Sequence, residues 1–354
     1  MNNKIVLVGL VLVAGFAMNP LAFGADDQAS IPPTVASAGN ATSKPSDDEG
    51  LLEVGSKIAS SKPKPADKPA DEKGPPLPFH SIEGYGGGAI TPMAYLVNPG
   101  PKDTIFGLPS AAFSEVIAGS KGLQSLSFTE TIFRRIELGY AIERFGTGTL
   151  EDDIRRHTGV DIHNDAVYLH NWNIRGNLLE ENAFGLPFLP AITAGVHLKY
   201  NEDIGDINHR LNGALSHIGY NSSFGEDYTL TASKTIVDKT WTLGRPLILT
   251  GGLRNSAAAQ LGFLGFGEQR HTTFEGSIAY MPTDWLLIAY EFREKEDPYK
   301  RIPGLVGAED NWHGFDISWI INKHATLVAG YGLFGTVVNT QENDAFWIQF
   351  KNEF

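Results

Sequence analysis

The residues best suited to chemistry in this sequence are charged side chains that recur at every second position, opposite apolar ones. Glu291 and Arg293 alternate with Tyr290 and Phe292, Asp316 falls between Phe315 and Ile317, and Glu275 follows Phe274. Lys351 and Glu353 interleave with Phe350 and Phe354, and Glu137, Glu143, Lys199 and Arg254 hold similar positions in runs of their own. In an extended strand successive side chains point to opposite faces, so each run offers one apolar face and one face with ionised groups. Groups of both signs on one face suit two roles. They can line a polar passage and orient solutes within it, or they can pair across a narrow interior and fill it. Both readings stay open at this level.

Other chemistries find less support. His157, Asp161, His163 and Asp165 offer oxygen and nitrogen ligands for a divalent cation, but nothing in their spacing fixes a geometry, and a solvated loop is the expectation. His209 and His217 fall in another connection and are read the same way. Ser216, Ser222 or Ser223 would need a histidine and a carboxylate to act as a nucleophile, and no nucleophile elbow accompanies them. The run Gly84-Tyr85-Gly86-Gly87-Gly88 lacks a following helix and reads as a flexible bend, not a phosphate loop. With no cysteine in the chain, disulfides, thiolate metal sites and lipid attachment through an N-terminal cysteine are excluded. Neither a catalytic residue nor a metal or cofactor is therefore assigned.

The elements that must position these charges are strands. Residues 312–321 place Phe315, Ile317, Trp319 and Ile321 on one face, with Gly314, Asp316 and Ser318 on the other. Residues 273–281 and 285–295 repeat the pattern, and similar runs lie at 136–143, 191–201 and 325–334. Counted back from the C-terminus, the connections fall at 335–344, 322–323, 296–311, 282–283, 257–272, 239–245, 202–225, 179–189, 147–165 and 134–135. Mostly they alternate long and short. A soluble sandwich also alternates apolar and polar residues, but outer-membrane barrels join long extracellular loops to short periplasmic turns, with both chain ends periplasmic. With residues 111–119 and 123–133 as the first hairpin, the count is about 12 strands, within a range of about 10–14, and even as bacterial barrels require. Residues 82–97 are then surplus. Pro92 disfavours a central strand, so the glycine-rich segment at 79–110 is expected as a lumen or rim element, with an extra hairpin as the alternative.

Both ends of the chain fit that location. Lys4, an apolar stretch at 5–18 and Ala22-Phe23-Gly24 read as a secretory signal over residues 1–24, and the apolar stretch is shorter than the roughly 20 residues of a spanning helix. Residues 25–78, with Lys62-Pro63-Lys64-Pro65 and its relatives, cannot bury a core and are expected to form a disordered periplasmic tail, with a short helix near 51–58. A formal charge of −13 argues against nucleic acid as a partner. At the other end Phe346, Ile348, Phe350 and Phe354 share a face and the sequence stops on an aromatic residue. This is the pattern of the C-terminal signal read by barrel-assembly machinery, from which Asn352 departs.

From His80 onward the sequence resembles a family of proteobacterial outer-membrane-type proteins known as domain of unknown function 3034. The resemblance is carried by Ser81-Ile82-Glu83-Gly84, Gly86-Gly87-Gly88-Ala89-Ile90-Thr91-Pro92, Arg254-Asn255 with Gln260-Leu261-Gly262-Phe263-Leu264-Gly265-Phe266-Gly267, Phe274-Glu275-Gly276-Ser277, Asp310-Asn311-Trp312 and Asn322-Lys323-His324. It implies an outer-membrane barrel and no activity. The expectation is an all-β, transmembrane antiparallel barrel in the bacterial outer membrane, with its tail and C-terminus periplasmic. Its function is expected to be porin-like, passing small hydrophilic solutes. The alternatives are a structural or adhesive barrel acting through loops and tail, and an outer-membrane hydrolase or lipid-modifying enzyme. The expected partners are outer-membrane lipid, the assembly machinery and a periplasmic or cell-wall partner for the tail.

Overall fold

A computed structural model describes residues 80–101 and 103–354. The expected signal, tail and short helix at 51–58 lie outside the described residues. Alternation of small or polar with bulky apolar residues yields the strands β1 (Ser110–Ala118), β2 (Lys121–Ile132), β3 (Ile136–Gly146), β4 (Ala166–Leu179), β5 (Ala191–Asn201), β6 (Phe224–Ile236), β7 (Leu247–Ala258) and β8 (Phe266–Tyr280). They continue with β9 (Leu286–Arg293), β10 (Trp312–Ile320), β11 (Ala325–Leu333), the short β12 (Gly335–Val337) and β13 (Thr340–Glu342), and β14 (Ala345–Glu353). Each long strand pairs antiparallel with its sequence neighbour, and β1 pairs with β14 to close a barrel of 12 strands. β12 and β13 form a separate hairpin in the last loop. At the seam Phe113 lies opposite Phe350, and the Phe354 N–H donates to the Pro109 carbonyl at 2.9 Å.

The barrel is inverted relative to a soluble one. Outward positions carry Trp172, Ile174, Leu230, Leu253, Ile278, Ile317 and Phe346, all substantially exposed, while inward positions carry Ser114, Ser127, Asn173, Thr231 and the charges. Such an exterior in water would present an apolar patch far larger than soluble monomers tolerate, whereas hydrocarbon stabilises it. No helix among the described residues is long and apolar enough to cross a membrane.

The two ends of the barrel differ. At the end holding Ser110 and Glu353, the connections are short turns, apart from residues 180–190 and 237–246. At the other end the loops are long, except for the tight turn at 119–120 between β1 and β2. Those loops carry helices α1 (Leu150–Thr158), α2 (Ile204–Arg210) and α3 (Ala214–Ile218). The 202–225 connection thus holds two short helices, and α1 lies in a segment read as a plain loop. Leu150, Ile154, Ile162, Ile204, Leu215, Phe263 and Tyr299 form an apolar core that roofs the barrel mouth. One strand is longer than its pattern suggests: β8 begins at Phe266 and not near Thr273, pairing with Ala258 after a register shift at Ser256.

Residues 80–97 add no strand to the wall. Among the described residues they form only isolated bridges within themselves, and they are buried throughout. Their backbone groups instead meet inward-facing side chains of the wall, so this segment fills the lumen as a plug.

Candidate functional site

The plug is held at three groups of charged side chains, and the alternation of the strands supplies all the wall partners. Nearest the long loops, Glu83 of the plug takes an ion pair from Lys199 on β5 and a 2.7 Å contact from Arg293 on β9, with Arg254 on β7 at 3.8 Å. The Tyr85 hydroxyl donates to Glu83 at 2.6 Å and accepts from Arg254 at 2.8 Å. Behind this layer Asp227 on β6 lies 3.0 Å from both Lys199 and Arg254, and Glu275 on β8 lies 3.0 Å from Arg254. The Tyr85 ring packs on His197, centroids 4.7 Å apart, and His197 bonds Asn173 and Thr229.

The second group is Glu291 on β9. Its carboxylate accepts the backbone N–H groups of Ala89 at 2.7 Å, Ile90 at 3.2 Å and Thr91 at 2.8 Å, and the Thr91 hydroxyl. Converging amides of this kind form a concave anion seat, here filled by the wall itself. Gly88 permits the approach: a Cβ there would sit 2.3 Å from the Glu291 carboxylate. The third group joins β3 and β4. Glu137 accepts Gly86 N–H at 3.0 Å and Val97 N–H at 2.7 Å, and pairs with Arg175 at 2.9 Å. Arg175 in turn donates to the carbonyls of Gly86 and Met93.

Smaller contacts complete the fit. Gln349 donates to the His80 carbonyl at 2.7 Å, Ser125 to that of Ile82 at 2.6 Å, and Ser233 accepts Ala94 N–H at 2.8 Å. At the short-turn end Asn98 donates to Glu353 at 2.8 Å, and Glu353 pairs with Lys351 at 2.5 Å. The Tyr95 hydroxyl reaches Glu181 in the 180–190 turn at 2.7 Å. Gly139 on β3 has no room for a side chain, since a Cβ would lie 2.1 Å from the Gly84 carbonyl oxygen. Buried charges are costly unless paired and hydrogen-bonded, and here the plug satisfies groups that an empty lumen would leave to water. What space remains is small. A cavity of about 10 Å³ lies beside Gly88 and Glu291, and one of about 40 Å³ lies under the loop roof near Phe145 and Phe334. Each has room for a water molecule or a few.

All the candidate pore-lining residues, Glu137, Glu143, Lys199, Arg254, Glu275, Glu291, Arg293, Asp316 and Lys351, face inward and are buried. With the plug in place the space beside them is small: Glu291 and Asp316 border the cavity of about 10 Å³, and Arg254 and Arg293 one of about 30 Å³. Glu83, Lys199, Arg254 and Arg293 are brought together, while Glu143 bonds Asn171 at 2.9 Å and Asp316 accepts Trp347 at 2.9 Å. Of the C-terminal pattern, Phe346, Ile348, Phe350 and Phe354 are exposed on the outer surface. Sequence reasoning passed over Arg175 and Asp227, although each alternates with outward aromatic or branched neighbours (Trp172 and Ile174, Tyr228 and Leu230) and could have been found by the same period. Glu83 and Tyr85 carry no such signal.

The loop ligands do not converge as a set. Glu151, Asp161 and His163 approach one another, but Arg155 lies 3.6 Å from Asp161, His157 bonds the Asp153 carbonyl and Asp165 faces Arg144. Of the serines, Ser216 bonds Asn208, Ser223 bonds Tyr220 and Ser222 accepts the Phe224 N–H, so none of these bonds joins a histidine.

A family model described as "Protein of unknown function (DUF3034)" matches residues 78–351. The chain belongs to that family. The match covers the plug and nearly the whole wall of this DUF3034 protein, so both are built from family sequence. No curated protein matches. Among solved structures the fold is similar to a KdgM porin, at 11% identity and a TM-score of 0.42, covering 69% of this chain and 99% of that one. It is similar to a NanC porin at 9% identity and a TM-score of 0.42, covering 70% and 98%. It is also similar to the outer membrane protein Omp33 of Acinetobacter baumannii at 6% identity and a TM-score of 0.37, covering 71% and 99%. These likenesses carry no function to the DUF3034 chain.

Proposed function

We propose that the protein is an outer-membrane, porin-like barrel held closed by residues 80–97, with its tail and C-terminus periplasmic, and that small hydrophilic solutes pass when this plug withdraws. The observation that carries the reading is the chemistry of the wall. Beneath the plug the interior is built of Ser114, Ser127, Thr129, Asn173, Thr193, Thr231 and Ser233 together with the charged groups. A barrel with no use for a polar interior is more stable with apolar side chains packed across it, since ionised groups gain nothing from burial beyond what their partners return. The lipid partner follows from the apolar exterior, and the exposed Phe346, Ile348, Phe350 and Phe354 suit recognition by assembly machinery. The tail would reach a periplasmic or cell-wall partner.

The test is planar-bilayer conductance of the folded chain beside the double variant Arg175→Gln/Glu291→Gln, which loosens two of the three holds on the plug. Rare openings in the first and frequent ones in the second are expected. A double variant that is folded, exchanges its plug amides rapidly and still passes no current refutes the reading. That result would favour a structural or adhesive barrel acting through its loops, whose helices are packed on an apolar core at the barrel mouth.

A further inference from the structure

The plug offers the wall one carboxylate, Glu83, and three wall cations converge on it. Lys199 and Arg293 touch it directly, Arg254 stands at 3.8 Å, and all four side chains are buried. The charges around this point decide what the wall would hold without the plug. Among the groups in ion-pair contact, Lys199, Arg254 and Arg293 contribute +3 and Asp227 and Glu275 contribute −2, so this set carries +1 on the wall and Glu83 brings it to zero; the nearby Glu143 is bonded to Asn171 and pairs with none of them. Asp227 and Glu275 lie on the far side of Arg254, each bonded to it, and fix the guanidinium in place. The ammonium of Lys199 reaches one Glu83 oxygen and Nη1 of Arg293 the other, so two cations meet a single oxygen pair held by the plug.

From this geometry we infer that Lys199, Arg254 and Arg293 form a carboxylate-binding site in the lumen, filled by Glu83 when the barrel is closed and by an acidic solute when it is open. The second half rests on the channel reading above. In this arrangement Glu83 stands in for the solute. An entering carboxylate competes with Glu83 for the same cations and lowers the cost of withdrawing the plug, because a ligand that binds only one of two states shifts the equilibrium toward that state. Tyr85 leaves with Glu83, freeing the Arg254 donor that its hydroxyl occupies. The other two holds are of opposite character: Glu291 and Glu137 are wall carboxylates that accept amides of the plug, and Arg175, the one cation among them, is already paired with Glu137, so neither hold carries a net positive charge. The acidic solute is therefore expected to be held at one depth, in the third of the barrel next to the long loops.

The test removes the stand-in and supplies a free one. In Glu83→Ala, reconstituted in lipid vesicles, acetate is expected to raise the thermal midpoint by several degrees and to saturate. Acetamide, or chloride at equal ionic strength, should not, and wild type, where Glu83 already fills the site, should respond to acetate much less than the variant. If Glu83→Ala refolds poorly, the folded fraction recovered with acetate against acetamide gives the same readout, and Glu83→Gln supplies a milder variant. An equal response to chloride, to acetamide, or in wild type would overturn the carboxylate site. In bilayers, reversal potentials in potassium chloride and potassium acetate gradients should show anion preference, lost in Lys199→Gln. A conducting but cation-preferring barrel would overturn the solute class while leaving the channel reading intact. A silent barrel with acetate rescue would overturn the channel reading and the solute half, and leave the carboxylate site standing.

Discussion

The Glu291 seat allows the strength of the plug's attachment to be worked out and measured. Its carboxylate accepts three backbone N–H groups and one hydroxyl from residues 89–91. In Glu291→Gln one oxygen is replaced by an NH2 group, which faces those donors and can accept from none of them, so about two of the four bonds are lost. A hydrogen bond to a charged group contributes roughly 1.5–3 kcal/mol, giving a gross loss of about 3–6 kcal/mol. Burying a neutral amide in place of a carboxylate returns part of this, and a net loss of about 2–4 kcal/mol is expected. At about 1.4 kcal/mol per tenfold, that corresponds to roughly 30- to 700-fold more frequent opening of the segment. Hydrogen exchange of peptides spanning 85–97, measured in lipid, reads this directly because protected amides exchange through local opening. Glu143→Gln serves as a control, since Glu143 bonds Asn171 across the wall. Exchange in Glu291→Gln within about threefold of wild type, or acceleration spread equally over β5 and β7, would refute the idea that Glu291 latches the plug.

Three further outcomes are expected. Gly139→Ala should displace the plug or lower the thermal midpoint, because its Cβ would meet the Gly84 carbonyl oxygen at 2.1 Å; Gly176→Ala, with nothing within 4 Å, should leave both unchanged. Ile317→Arg, on the outer face midway along β10, should lose about 2–4 kcal/mol in denaturant unfolding from lipid vesicles, the loss expected of a cation at the bilayer midplane. At the short-turn end the Trp241 and Thr240 N–H groups hold the Asp238 carboxyl below the usual carboxylate range. A depressed folded-state value stabilises the 238–245 turn above the unfolded-state value, and that support is lost as the pH falls through the folded one. Proteolysis after Lys239 should therefore accelerate on acidification, and Asp238→Asn should flatten the pH dependence.

How far the sequence discloses this molecule depends on periodicity. Where polar and bulky residues alternate, as at Phe315, Ile317 and Trp319, the strand, its outward face and the depth of Asp316 are all legible. The same reading fails over Gly267 to His271, where no apolar period exists: His271 pairs with Ser256 on β7, and Arg270 is held by its side-chain bonds to Asn255 and Glu226. Helix α1 was missed because its buried residues are only Leu150 and Ile154, too few to mark a helical period. The lumen divides along the same line. The wall half of each contact, Glu137, Lys199, Glu291 and Arg293, is announced by its strand, whereas Glu83 belongs to a coil with no period at all. Gly84, Gly86 and Gly88 announce that something must pass closely there. What approaches them from the wall lies between 51 and about 200 residues away in sequence, from Gly86–Glu137 to Gly88–Glu291, and only the folded barrel brings it near.

The seam between β1 and β14 also governs the order in which this protein can be built. The plug is synthesised before any strand, yet its partners are spread over β3, β4, β5, β7 and β9, and the circle is completed only when residues 345–353 meet residues 110–118. A segment so enclosed either waits inside an open sheet while the wall curls round it or threads a finished cylinder from the short-turn end. In the first course it is a template: each arriving strand finds a charge partner already in place, and the loop-closure entropy of these distant contacts is shared among them. The sequence at 80–97 would then be constrained by assembly as much as by closure, and its loss would appear first as slow folding.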